Sequence, residues 1–232
     1  MMTGNKFAVV GMGYFGSAIA RILSKRGAEV VAIDSHEERI EHIKDDLAYA
    51  VTLDATDRKA LESQGLQDMD AVVVAIGENF EALLLCTLHL QEMGVRRIIA
   101  RASHPSQMEI LRKMGVKEVL QPEVTVGASV AENLLNPDVL MCMRLPDEYE
   151  IIEIKAPKNI IGRTLENIGL RDKYNINLVT IMRDHEEKKG SEMVVEQHIL
   201  GVPMSDTVIE PSDVIVIFGR TKSIERFIEI NS

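Results

Sequence analysis

The sequence predicts an α/β protein in which a doubly wound parallel sheet is followed by a smaller α+β domain. Two observations support this prediction. Over the first 122 residues, short apolar segments rich in β-branched residues alternate with segments of helical periodicity, and beyond that point the alternation stops. The apolar segments are also continuous, which is typical of parallel strands that helices cover on both faces.

Six strands are predicted in the first part of the chain, at residues 7–12, 29–34, 48–54, 70–76, 96–102 and 117–122. Apolar residues at helical spacing separate them, as at Ile19, Ile22 and Leu23. Several of these segments end in glycine, as in "KRG", "QEMG" and "RKMG", and glycine is the residue favoured just past a helix end. We therefore expect repeated β-α units with a ligand site outside the carboxyl ends of the strands.

A glycine motif joins the first predicted strand to the first helix. Gly11, Gly13 and Gly16 have the spacing G-x-G-x-x-G. In nucleotide-binding units the first glycine allows a tight turn, the second lets a phosphate approach the backbone, and the third lets helix and strand pack closely. Asp34, at the end of the second strand, is placed to bind ribose hydroxyls and to repel a 2′-phosphate. The motif predicts a Rossmann-like domain that binds an adenine nucleotide; the alternative is that the glycines serve packing alone.

Polar residues also follow the other predicted strands, where a ligand at the carboxyl edge of the sheet must lie. Each of them alone is more typical of a helix cap or a solvated loop. As a group they define a candidate site. The candidate binding residues are Gly11, Gly13, Tyr14, Phe15, Gly16, Asp34, Ser35, Asp54, Ala55, Thr56, Ile76, Gly77, Glu78, Arg101 and Glu123.

Composition excludes several classes of function. The formal charge is −10, and the chain has four tyrosines, five phenylalanines and no tryptophan. This argues against a nucleic-acid groove of cations and stacking rings, and against polybasic adhesion to a membrane. No apolar run is long enough to span a bilayer and no signal peptide is evident, so we expect a cytoplasmic protein. Cys86 and Cys142 lie in apolar runs and are interpreted as core residues rather than a disulfide.

The second part of the chain has a different pattern. Residues 123–143 are predicted to form an apolar-rich helix, whose surplus apolar surface fits either a dimer interface or ordinary core. Pro137 and Pro146 indicate a linker at 138–147, so the predicted domains are 1–137 and 148–232. Strands are predicted at 149–157, 177–184, 192–197 and 214–220, helices at 164–170 and 223–230, and a hairpin tip at 184–192.

Residues for enzyme chemistry are not evident. None of the six histidines belongs to a recognisable catalytic constellation, and His104 is the one expected near the mouth of the site. No nucleophile elbow or zinc spacing is found. The nucleotide is therefore expected to act as a signal. The alternatives are a small NAD-dependent oxidoreductase, which needs an acid or base, and a redox-sensing protein, which needs a basic DNA-binding segment.

The chain resembles a known family over essentially its whole length. The resemblance is carried by "FAVVGMGYFGSAIARIL", "EVVAIDSHEERI", "LDATD", "DAVVVAIGEN", "VLQPE", "IIGRTLENIGLRDKYNINLVTI" and "DVIVIFGR". These stretches are similar to regulatory subunits of bacterial potassium uptake systems of the Ktr and Trk type, which combine an RCK (KTN) domain with a TrkA-C domain. The resemblance implies a non-enzymatic protein at the inner face of the membrane. It also implies homodimers that assemble into an octameric ring beneath a potassium-translocating membrane subunit, gated by ATP or ADP, or by NAD(H).

The resemblance also implies roles for individual residues. Asp34 holds the ribose, Asp54 and Ala55 border the adenine, and Gly77 and Glu78 flank the ribose. Arg101 approaches phosphate, and Glu123 lies near the terminal phosphate and its Mg²⁺.

Tyr14 departs from the family pattern. Members that discriminate ATP from ADP have an arginine at this position, and a neutral phenol cannot neutralise phosphate charge. Either Arg101 takes over that charge or the ligand is ADP, AMP or NAD(H). In the second domain, Arg171 with Ile160 and Ile161 resembles the region where some members bind cyclic di-AMP. The alternative is that Arg171 is a solvated helix residue.

Overall fold

The first part of the chain forms a parallel sheet. The computed structural model describes residues 5–189 and 192–232, and its contacts divide the chain into the compact units Met1–Thr125 and Val126–Ser232. The first unit has the strand order β3-β2-β1-β4-β5-β6, with every pairing parallel. The strands are β1 (Lys6–Val10), β2 (Glu29–Asp34), β3 (Tyr49–Thr52), β4 (Ala71–Val74), β5 (Ile98–Arg101) and β6 (Glu118–Leu120). This order confirms the predicted doubly wound sheet.

Helices cover both faces of this sheet. They are α1 (Tyr14–Lys25), α2 (Glu37–Glu41), α3 (Arg58–Glu62), α4 (Phe80–Glu92) and α5 (Pro105–Lys113). Successive residues of β1 enter different cores: Ala8 and Val10 pack with residues of α3, α4 and α5, whereas Val9 packs with residues of α1 and α2. This explains why the strands are continuous apolar runs. Cys86 lies in the first of these cores, where burial raises the pKa of its thiol to about 12.

The predicted helix at 123–143 is wrong beyond its first two thirds. Helix α6 (Pro122–Leu135) ends before Pro137, which cannot donate a helical hydrogen bond and disfavours helical geometry in the residue before it. The next residues form strand β7 (Val139–Leu145), which pairs antiparallel with β8 (Tyr149–Lys155). The segment predicted as a linker, 138–147, is therefore mostly an edge strand. Strand β7 belongs to the second sheet. The contacts between residues divide the chain after Thr125, within α6, rather than after residue 137 as predicted.

The apolar face of α6 is exposed in this single chain. Val126, Val130 and Leu134 are 62%, 52% and 76% exposed. The sequence left two alternatives for this surface, a dimer interface or ordinary core. Because these three residues are exposed, ordinary core within the chain is excluded for them.

The second unit is built on an antiparallel sheet of order β10-β9-β11-β8-β7. Its further strands are β9 (Asn177–Lys189), β10 (Glu192–Ile199) and β11 (Val214–Arg220), and its helices are α7 (Leu165–Ile168), α8 (Leu170–Tyr174) and α9 (Thr221–Asn231). The predicted α+β architecture is confirmed. Strands β9 and β10 extend into the predicted hairpin tip at 184–192, of which residues 190 and 191 lie outside the described chain.

A buried ion pair fixes the turn before β11. Arg183 on β9 donates through Nε and Nη2 to the two carboxylate oxygens of Asp213, at 2.7 and 2.8 Å. The side chain of Asp213 is fully buried and that of Arg183 is 15% exposed. Arg183 also donates to the carbonyl oxygen of Val208 and pairs with Glu210. The guanidinium thus joins the middle of β9 to the segment that leads into β11.

Among the described residues, no helix combines the length and the apolarity that crossing a membrane requires.

Candidate nucleotide-binding site

A cleft of about 1340 Å³ opens at the carboxyl edge of the parallel sheet. It is bordered by the ends of β1 to β5 and by the first turns of α1 and α4. All candidate residues except Gly16 line it: Gly11, Gly13, Tyr14, Phe15, Asp34, Ser35, Asp54, Ala55, Thr56, Ile76, Gly77, Glu78, Arg101 and Glu123. The structure therefore brings together residues that the sequence places far apart.

The three motif glycines differ in their surroundings. Gly11 has φ +98°, and a Cβ there would lie 3.0 Å from backbone atoms of Ala75 and Ile76. A Cβ at Gly16 would lie 1.9 Å from the carbonyl oxygen of Gly11, so this position requires glycine for packing and does not face the cleft. A Cβ at Gly13 would meet no described atom within 4 Å.

The N-terminus of α1 is open at Gly13. This residue is the N-cap of the helix, and no side chain of the described residues caps it. The first N–H groups of a helix lack intrahelical partners and attract anions. The loop therefore presents backbone donors to the cleft beside a residue without a side chain.

Asp34 is a buried carboxylate that organises the glycine loop. It is 5% exposed. One oxygen accepts hydrogen bonds from the backbone N–H of Met12 at 2.6 Å and from Arg39 at 3.4 Å, and the other accepts from the backbone N–H of His36 and contacts its ring Nδ1, both at 2.9 Å. Burial alone would raise the pKa of the Asp34 carboxyl, but these donors outweigh it and hold the pKa below its usual range. The carboxylate is therefore ionised and fixed in place.

The lowered pKa of Asp34 predicts how the free energy of unfolding depends on pH. A carboxyl whose pKa is lower in the folded than in the unfolded state stabilises the fold above its unfolded pKa of about 3.9, and this contribution is lost as the pH falls through the folded pKa. The difference in unfolding free energy between wild type and Asp34→Asn is expected to be largest near neutral pH and to shrink on acidification. Urea unfolding across that range measures it. Asp68→Asn, at an exposed position, is the control. A difference that does not vary with pH contradicts the prediction.

The loop after β3 forms a compact turn. The carboxylate of Asp54 accepts hydrogen bonds from the backbone N–H of Thr56 at 2.9 Å and from its hydroxyl at 2.8 Å, and these bonds lower the pKa of Asp54. Asp57 then caps α3 by accepting from the N–H of Lys59. Asp54 and Thr56 thus shape their own loop, and Ala55 between them is buried against the cleft.

Arg101 and Glu123 close the far side of the cleft. The guanidinium of Arg101 lies 5.5 Å from the ring centroid of Phe15. A Cβ at Gly77 would be 2.9 Å from its Nη1, so glycine permits this approach. Nη2 donates to the Glu123 carboxylate; hydrogen bonding from the backbone N–H of Glu123 itself, followed by that from Arg101, holds the pKa of Glu123 below its usual range. Within the described chain, Nε of Arg101 is buried without an acceptor.

Some residues of the cleft were missed by sequence reasoning. Met12, His36 and Arg39 bind Asp34, and Arg39 also lies 3.9 Å from the carboxylate of Glu78. The sequence indicated these contacts only through the stretch "DSHEER", in which an imidazole and a guanidinium, those of His36 and Arg39, shortly follow Asp34. The expectation for His104 is wrong: His36 and His42 line the cleft, and His104 is not among the described residues that do.

A metal site of protein ligands alone is absent from the described part of the chain, which contains no suitable group of three or more histidine, cysteine, aspartate or glutamate residues. The side chain of Glu123 contributes one carboxylate to the lining of the cleft. Mg²⁺ is commonly held by one or two carboxylates together with ligand phosphates. The donor set therefore fits a cation that binds with a phosphate-bearing ligand.

In the second unit, Ile160 is fully buried core and Ile161 is half-buried. Arg171 is exposed and donates through Nε to the side chain of Asn177 at 2.9 Å. Of the three residues that resemble a cyclic di-AMP region, Ile160 thus serves the core.

The fold and the cleft define a protein with a Rossmann domain of the nucleotide-binding type, joined to a small α+β domain. The family model of the TrkA-N domain matches residues 7–122, and that of the TrkA-C domain matches residues 149–231. The chain belongs to the family of Ktr- and Trk-type potassium uptake proteins that combine these two domains.

Relatives of similar length support this assignment. The chain is 35% identical over 222 residues to Ktr system potassium uptake protein C of Bacillus subtilis (strain 168), covering 96% of this chain and 95% of the relative. It is 32% identical to Ktr system potassium uptake protein A of the same organism, with the same coverage.

Solved structures share the fold. The RCK domain of GsuK matches with a TM-score of 0.65 and 15% identity, over 100% of this chain and 48% of that one. The GsuK channel bound to NAD matches with a TM-score of 0.64 and 15% identity, over 99% of this chain and 40% of that one. The chain spans less than half the length of these solved structures, and at this identity the likeness concerns the fold.

Proposed function

We propose that this protein is a non-enzymatic, cytoplasmic regulatory subunit of a potassium channel or transporter, controlled by an adenine nucleotide in the cleft. The observation that carries the proposal is the pairing of an uncapped helix N-terminus at Gly13 with the buried, ionised carboxylate of Asp34. The first favours phosphate and the second favours ribose hydroxyls. The names of the relatives, which are potassium uptake proteins, supply the process that is regulated.

The ligand of this proposal is ATP or ADP, with NAD(H) as the other candidate. Its phosphates lie at Gly13, its ribose at Asp34, and its base at the loop of Asp54 and Ala55. Solved structures that share the fold include GsuK bound to NAD and GsuK bound to ADP. Tyr14 is fully exposed and has no positive charge. The proposal therefore assigns the phosphate charge to Arg101, whose guanidinium lies over the ring of Phe15 in the first turn of α1. Mg²⁺ would be held by the phosphates and Glu123.

The proposed regulation is a population shift. A ligand moves an equilibrium between two shapes only by the difference in its affinity for them, and about 100-fold in affinity is about 2.7 kcal/mol per site. Homodimers formed through the exposed face of α6, assembled into an octameric ring beneath the membrane subunit, would add the effects of several sites. The exposed Val126, Val130 and Leu134 support this interface.

The alternative of an oxidoreductase lacks support from the cleft. An acid or base must be available near the nicotinamide. His36 and His42 line the cleft, but each contacts only its own segment through Nδ1, and the matched relatives are named as potassium uptake proteins rather than oxidoreductases.

Isothermal titration of nucleotide-stripped protein tests the proposal. ATP, ADP, AMP, NAD⁺ and NADH are each titrated with and without Mg²⁺, and at least one is expected to bind. If none binds, the proposed function fails. If NAD(H) alone binds, the protein senses something other than the ratio of ATP to ADP.

Glu123→Gln separates the metal from the nucleotide. The variant is expected to keep the affinity for adenosine and to lose most of the Mg²⁺-dependent gain in affinity for ATP or ADP, because an amide is a poor magnesium ligand. The same titrations measure both quantities. Equal loss of adenosine affinity and of the metal-dependent gain would contradict the role given to Glu123.

A further inference from the structure

His89, in the last turn of α4, contacts the loop after β3 and is not among the described residues that line the cleft. Its Nε2 lies 3.1 Å from the carbonyl oxygen of Thr56. Because a carbonyl oxygen only accepts, Nε2 carries the hydrogen and donates it. The ring Nδ1 is buried and has no hydrogen-bond partner among the described residues. The geometry therefore fits a ring that has its hydrogen-bonding hydrogen on Nε2.

Most hydrogen bonds of the loop are local. Asp54 accepts from Thr56, and the backbone N–H of Asp57 donates to the carbonyl oxygen of Asp54 at 3.1 Å. These bonds fold the turn on itself. At its start the loop is tied to β2 by the N–H of Leu53, which donates to the carbonyl oxygen of Asp34 at 2.8 Å. Two polar contacts join its later part to α4: His89 binds Thr56, and Arg58 pairs with Glu92 at 2.7 Å. The Arg58 pair is about half exposed on both sides, so it contributes little.

Helix α4 also borders the other wall of the cleft. It begins after Asn79, which caps it beside Gly77 and Glu78, and Ala82 and Leu85 from its first half line the cleft. His89 thus joins the loop after β3 to α4, a helix whose first half also lines the cleft.

We propose that His89 is a positioning residue that holds the loop of Ala55 and Thr56 in place for the base of the nucleotide. The inference rests on the proposed function. It concerns the base half of the cleft, whereas Gly13 and Arg101 serve the phosphate half. His89 therefore acts equally on all ligands that share the same base.

Three variants test this role. His89→Leu removes the donor and keeps an apolar side chain of comparable bulk. His89→Gln restores an N–H donor at similar reach. Gln91→Leu is the matched control, because Gln91 lies in the same helical turn and donates through Nε2 to the carbonyl oxygen of Met114 at 2.9 Å, at a loop outside the cleft.

Titration with adenosine, AMP and ATP is the binding readout. We expect His89→Leu to weaken all three by a similar factor of about three to tenfold, the size of one net hydrogen bond. His89→Gln is expected to bind within about twofold of wild type, and Gln91→Leu like wild type. Loss of ATP affinity with unchanged adenosine affinity, or no loss for any ligand, overturns the proposal. So does a glutamine variant as weak as the leucine variant.

Amide hydrogen exchange in the ligand-free protein gives an independent readout. The N–H groups of Thr56 and Asp57 are expected to exchange faster in His89→Leu than in Gln91→Leu, because the loop has lost its contact with α4. Equal exchange in both variants overturns the proposal even if nucleotides bind. If wild type binds no adenine ligand but the exchange differs as expected, the proposed function fails while the anchoring of the loop by His89 stands.

Discussion

Gly16→Ala is expected to destabilise the first unit by about 3 kcal/mol or more, at or beyond the upper end of the usual range for overpacking. The added Cβ would lie 1.9 Å from the carbonyl oxygen of Gly11. This atom cannot move aside easily, because the backbone N–H of Gly11 donates to the carbonyl oxygen of Ile33 at 2.7 Å. Helix α1 must therefore shift away from β1. Denaturant unfolding measures the loss.

Gly13→Ala is the matched control for this prediction. The same methyl group at Gly13 meets no described atom within 4 Å, and φ of −66° is open to alanine. Because glycine is favoured over alanine at an N-cap, this variant is expected to lose about 1 kcal/mol at most, well below the loss at Gly16. Equal unfolding midpoints for the two alanine variants would contradict the packing role of Gly16.

Asp213→Ala is expected to destabilise the second unit by about 3 to 5 kcal/mol, since removing one partner of a buried pair leaves the other charge without compensation. Asp213 is fully buried and binds Arg183 through both carboxylate oxygens. Urea unfolding monitored by resonances of the second unit measures the effect. The double variant Arg183→Met with Asp213→Ala is expected to lose less than the sum of the two single losses.

An exposed arginine serves as the control for the buried one. Arg171→Met removes a guanidinium whose hydrogen bond to Asn177 lies at the surface, and no measurable change in stability is expected. A loss below about 1 kcal/mol for Asp213→Ala would show that the buried pair is not the anchor of this turn.

The sheet of the first unit could be predicted because all its strands share one sequence pattern, a continuous apolar run, and one environment, burial by helices on both faces. Continuous apolar runs such as residues 70–76 are sufficient when both faces are covered. Strand β7 was missed for the opposite reason. The apolar residues at 139–143 fit a helix as well as a strand, and their strand form depends on pairing with β8, which follows only after the turn at Pro146.

The cleft could be predicted where backbone geometry dictates the residue type. The glycines and Asp34 occupy positions that the βα unit defines, and the structure places Gly16 as a packing residue, the role that its place in the motif predicts. Met12, His36 and Arg39 could not be predicted in the same way. Met12 contributes only a backbone N–H, which any residue except proline supplies, and Arg39 reaches Asp34 at the end of β2 from α2, the helix that follows. The ligand contacts of all these residues stay predictions.

The crowded carboxylate of Asp34 limits what ribose recognition can contribute. Each of its two oxygens already has two partners. A ribose hydroxyl therefore has to replace a partner, and the His36 ring, whose side chain is 64% exposed, is the one most easily displaced. Binding at this point exchanges one hydrogen bond for another and gains little net free energy. Under the proposed function, Asp34 is then expected to act as a filter that rejects nucleotides unable to make the exchange, and the strength of binding is expected to come from the phosphates and the base.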